Sequence, residues 1–174
     1  MKNIHLIPTD KPSRLFLKEN TLLLNNQYTL QKIFTKGKCQ NIYITSDDEI
    51  KEGDWCILLE NHYVNGGIGK YNTEKAIGYG LHNTKFFQKI ILTTDQDLIA
   101  NGVQAIDDDF LEWFVNNPNR EWVEVIYDKD AFPYGVETAK EYGWYKIIIP
   151  QEEPKIDSIF NEANVRFSET LDKL

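Results

Sequence analysis

Apolar positions along this chain recur mostly at the spacing of strands, and helical periodicity is confined to a few stretches. Ile4, Leu6 and Ile7 predict a short strand closed by Pro8. Residues 14–17 and 21–24 flank Lys18, Glu19 and Asn20, the pattern of a hairpin with a short polar loop. Residues 41–45 (NIYIT) predict a strand, residues 46–54 a polar acidic connection, and Trp55, Ile57 and Leu59 a further strand. Residues 28–34 fit neither period, and residues 35–40 read as a basic loop.

The most legible stretch is residues 89–128. Ile90, Ile91 and Leu92 form a strand-length apolar run. Thr94 and Asp95 can cap a helix start, and Gly102 can take the left-handed conformation that ends it about two turns on. Residues 103–106 predict a brief extended piece. Asp107, Asp108 and Asp109 then open a second helix carrying Phe110, Leu111, Trp113, Phe114 and Val115, stopped by Asn116, Asn117 and Pro118. Trp122, Val123, Val125, Ile126 and Tyr127 predict the returning strand, with Phe110, Trp113 and Phe114 buried against it and against residues 89–93. Residues 128–143 form a turn-rich connection, and residues 144–150 (WYKIIIP) a strand ended by proline. From Ile156 to Leu174 one apolar stripe at helical spacing predicts an amphipathic terminal helix that packs on the rest of the domain.

The pattern predicts an α+β fold. Its β-rich first half (residues 1–87, barrel-like or an antiparallel sheet) is followed by a mixed part (residues 88–150) containing the β-α-α-β unit. One domain over residues 1–150 then carries the helix of residues 151–174. A hydrophobic content of 41% and an aromatic content of 13% suffice for a packed core rather than a disordered chain. No apolar run reaches membrane-spanning length, and the opening MKNIHLIPTDKP lacks the apolar centre of a signal peptide. A soluble, cytoplasmic protein with no membrane contact is therefore expected.

Candidate chemistry is sparse. Cys39 and Cys56 have no neighbouring ligands at metal spacing and read as buried free thiols, and the three histidines are scattered. Asp95, Asp97, Asp107, Asp108 and Asp109 could supply hard oxygen ligands, but they lack calcium-loop spacing and sit where helix starts favour carboxylates. GGIGKYN resembles a phosphate loop only superficially: Val64 stands where the first glycine belongs, and Tyr71 where Ser or Thr must follow the lysine. The stretch reads as a hairpin or flexible loop. No catalytic group, metal site or cofactor is expected.

Charge is divided unevenly. Residues 1–87 hold 11 Lys and Arg against 9 Asp and Glu, while residues 88–174 hold 8 against 18. An acidic second half favours a basic partner.

Four segments, IHLIPTDKPSRLF, NIYITSDDEIKEGDW, KIILTTDQDLIANGVQAIDDDFLEWFVNNP and YKIIIPQEEPK, resemble in the same order small uncharacterised proteins of phages and mobile elements in Bacteroidetes, flavobacteria especially. The resemblance covers roughly half the chain and carries no catalytic residues. It implies a phage or prophage product acting inside a bacterium. In that setting the acidic half suggests a non-enzymatic inhibitor of host defence, of anti-CRISPR type, that binds a defence protein such as a CRISPR nuclease or its guide-RNA complex. Glu112, Glu121, Glu124, Glu152 and Glu153 are the candidate protein-binding residues. The alternative is a single-stranded nucleic-acid-binding accessory protein, with Lys32, Lys36, Lys38 and Tyr43 of the first half as its contacts.

Overall fold

The computed structural model describes residues 2–25, 38–59, 67–78, 86–129 and 143–150. Within them the chain runs β1 (Ile4–Thr9), β2 (Leu15–Lys18), β3 (Thr21–Leu24), β4 (Cys39–Ser46), β5 (Trp55–Leu58) and β6 (Gly67–Lys70). It continues through α1 (Thr73–Gly78), β7 (Phe87–Thr93), α2 (Gln96–Ala100), β8 (Gln104–Ala105), α3 (Asp108–Asn116), β9 (Glu124–Asp128) and β10 (Trp144–Ile148). The fold is mixed and strand-rich, built on a largely antiparallel sheet.

β4 is the centre of that sheet because both its edges and both its faces are covered. β1 runs antiparallel along one edge, while β2 and β7 share the other, at opposite ends of the strand. Residues 39–45 of β4 are all buried. On one face Ile42 and Ile44 pack with Ile4, Leu15, Leu22 and the α3 residues Phe110, Leu111 and Phe114. On the other, Tyr43 packs with Ile57, Ile90 and Leu98 of α2. β7 repeats the arrangement, with β4 on one edge and β5 and the parallel β8 sharing the second. β1 continues through Pro8 rather than stopping there. The N–H of Ile4 leaves the ladder to reach the Glu121 carbonyl, so positions of that parity, Pro8 included, turn their nitrogen away from β4.

Local chemistry explains the turns. The β2–β3 hairpin closes with two residues, Glu19 and Asn20, both at positive φ (51° and 66°), the twist that suits a two-residue hairpin loop. Asp95 caps α2 through the Asp97 N–H, and Asp107 caps α3 through the Phe110 N–H at 2.8 Å. Gly102, at φ 94°, follows α2. Of the hairpin and loop readings of the glycine stretch, residues 67–70 follow the hairpin: they form β6, paired antiparallel with β5. α1, just after it, has no counterpart in the sequence reading; Asn72 caps it through the Lys75 N–H. Trp113, expected in the core, is only partly buried, whereas Phe110 and Phe114 are 0% and 1% exposed.

The strand after α3 does not return to β7. β9 pairs instead with β10, forming a separate two-stranded antiparallel sheet. Two side-chain amides join this ribbon to the main sheet by imitating backbone. Asn3 donates to the Val123 carbonyl at 2.8 Å and accepts from its N–H at 2.9 Å. Gln104 donates to the Tyr145 carbonyl at 2.6 Å and accepts from its N–H at 2.8 Å. Gln104→Ala strands both Tyr145 groups and should cost about 1–3 kcal/mol, read by denaturation and by faster amide exchange in β10. Unchanged exchange there would contradict the bridging role.

The expected terminal helix of residues 151–174, the ambiguous residues 28–34 and most of the 128–143 connection lie outside the described residues. No helix among the described residues is long and apolar enough to cross a membrane.

Candidate functional site: an acidic, aromatic groove beside the second sheet

Residues 122, 123, 125, 126, 127 and 144 are all aromatic or aliphatic, more apolar surface than one buried face of a two-stranded ribbon can hide. Val123 is fully buried and Val125 packs on the core, but Trp122 is 56% exposed and Tyr127 54%. Ile126 and Trp144 are exposed as well. Solvent-facing apolar residues are therefore concentrated on and beside β9 and β10.

Between the outer edge of β9 and the end of β4 runs a groove of about 260 Å³. Ile91 and Tyr145 contribute its apolar lining, Trp122 and Tyr127 its aromatic surface, and Asp47, Asp48 and Glu124 its carboxylates. Asp48 accepts from the Ser46 hydroxyl at 2.9 Å. The side-chain carboxylates of Asp47 and Glu124 make no ion pair or hydrogen bond among the described residues. The groove's one cation, among the described residues, is Lys2, which is engaged by Glu121 at 3.2 Å. Burial, then the charges of Asp48 and Asp54 and the neighbouring Tyr127, raises the Tyr145 hydroxyl above its ordinary pKa. Tyr127 and Tyr145 lie with ring centroids 5.0 Å apart, and the Tyr127 hydroxyl accepts from the Gly143 N–H. A Cβ at Gly143 would collide with that ring and with the Asp128 carbonyl, so glycine there lets the tyrosine close over the sheet.

On the far side of this tyrosine pair lies a second cleft of about 600 Å³. It contains the half-buried Asp54–Lys89 ion pair (3.1 Å), with Trp55 and Trp144 in its lining. There the two charges answer each other, whereas in the first groove negative charge is left over. Cys56, behind this region, is a buried thiol pushed up to about 11 by burial, with Asp54 adding, and is thus no nucleophile at neutral pH. No group of three or more His, Cys, Asp or Glu among the described residues is arranged to hold a metal.

The sequence-predicted residues scatter. Glu124 lies at the groove, and Glu121 beside it is tied to Lys2. Glu112 is exposed on α3 and does not line the groove. Glu152, Glu153, Lys32 and Lys36 lie outside the described residues, and Lys38 is exposed at the start of β4. Tyr43 cannot stack a base: it is 3% exposed, and its hydroxyl donates to Asp95 at 2.8 Å. Burial, then that bond, raises its pKa far above the ordinary tyrosine value of about 10. The unfolded chain then loses the proton first, and stability should fall as pH rises past about 10. Tyr43→Phe should lose less stability between about pH 8 and 11 than the native protein, as read by denaturant unfolding. An equal loss would remove Tyr43 as the cause. In the sequence Asp47 and Asp48 belong only to a polar acidic connection, and Trp122 and Tyr127 only to a strand; the fold brings the four together at the groove.

Comparison with protein-family models, with characterised proteins and with solved structures finds no match.

Proposed function

We propose that this protein is a non-enzymatic binding module that captures a basic surface of a bacterial defence protein, acting stoichiometrically as an inhibitor of anti-CRISPR type. The observation that carries the reading is the groove itself: surplus carboxylates beside exposed Trp122 and Tyr127. Carboxylates pair with arginine or lysine, and aromatic faces attract the same cations. A nuclease that holds guide RNA or DNA presents such cations in its channel, and an acidic competitor is steered towards it. The resemblance to phage and mobile-element proteins supplies the setting.

Purification of the tagged protein from a flavobacterial host, with and without nuclease treatment, tests the reading. A protein recovered in stoichiometric amount after treatment is the expected result. Recovery that disappears with the nucleic acid would favour the nucleic-acid-binding alternative instead.

A further inference from the structure

The backbone along the groove adds to the charge. Gln104 occupies both the N–H and the C=O of Tyr145, so those groups point away from β9. In an antiparallel pair, the residue opposite such a position also turns its backbone groups outward. That residue is Tyr127. By the same alternation Val125 and Val123 face outward too, and Asn3 does take both groups of Val123. Asn3 thus stands in for the first step of a neighbouring strand. At the next two steps, Val125 and Tyr127, the outward backbone groups make no hydrogen bond among the described residues. Both residues line the groove, opposite residues 45–48.

We infer that the partner enters this groove as an extended segment that adds a strand to the outer edge of β9, with arginine or lysine at alternating positions. The inference rests on the basic-partner reading above. An exposed strand edge is a template for pairing, and main-chain bonds then supply affinity while alternate side chains supply specificity. Side chains two apart on an added strand point to the same face, so every second one is placed to meet Asp47 and Asp48 across the groove. Trp122 and Tyr127 offer ring faces for the alkyl and guanidinium portions of the same residues.

The test compares two synthetic peptides on the intact protein: one of alternating arginine and valine, and the same peptide N-methylated along its backbone. Charge is equal, but the second cannot donate to a strand edge. The unmodified peptide should bind about tenfold tighter or better, the factor expected when one or two net hydrogen bonds are lost. It should also slow amide exchange at Val125 and Tyr127. Equal binding of the two peptides would overturn strand addition and leave the charge-led reading standing. Tighter binding without protection at Val125 and Tyr127 would place the contact elsewhere and likewise overturn it. Binding by neither would overturn both.

Discussion

Phe110→Ala should destabilise the fold by about 3–5 kcal/mol, the loss expected when a fully buried aromatic is truncated in a core that cannot close the gap. The Phe110 ring is 0% exposed and sits where α3 meets the strands. It stacks with Phe114 at a centroid distance of 5.7 Å and lies 5.6 Å from Trp113. Ile4, Leu15 and Leu22, from three different strands, belong to the same cluster. Those strands are fixed by their own ladders, so they cannot move independently to fill a cavity. Trp113→Ala should cost less, because that ring is partly open to water and loses less buried area. Denaturant unfolding of the two variants measures the difference. If Trp113→Ala proves the more damaging, α3 is seated with a different face inward.

Replacing Asp47 and Glu124 together by lysine should slow association with the captured partner by about tenfold or more at low salt, in the range that electrostatic steering commands. The melting temperature should barely move. Neither carboxylate has an ion-pair or hydrogen-bond partner among the described residues, so reversal removes no contact that holds the fold. Glu121 is a poorer choice of variant: its side chain holds Lys2, so reversal there mixes a lost pair with a changed field. Glu112 is a useful control. It is exposed and acidic yet outside the groove, and Glu112→Lys should alter the rate far less.

Local chemistry was legible in the sequence, and long-range pairing was not. Asp95 and Asp107 could be read as caps because a carboxylate and the N–H it satisfies are two or three residues apart. Residues 41–45 announced a strand through the β-branched and aromatic run of Ile42, Tyr43, Ile44 and Thr45, although Asn41 and Thr45 are buried polar residues in the fold. The partner of β9 was hidden: its apolar run suits β7 or β10 equally, and in the fold the edges of β7 are taken by β4, β5 and β8, strands far away in sequence or paired only in three dimensions. The groove was hidden for the same reason. Counting charge by halves placed the acidity after residue 88, yet Asp47 and Asp48 come from the first half and meet β9 only in the fold. One signal was present. Trp122, Val123, Val125, Ile126 and Tyr127 are too apolar for a strand with a single buried face, so some of them had to remain on the surface.

The most direct measurement of the central claim is the association rate of the captured partner across a series of salt concentrations, for the native protein and for the Asp47→Lys, Glu124→Lys variant. A basic partner steered into the acidic groove predicts a rate that falls steeply with salt for the native protein, and a slower, much flatter dependence for the variant. Identical curves for the two proteins would contradict it, and would show that binding is led by some other surface.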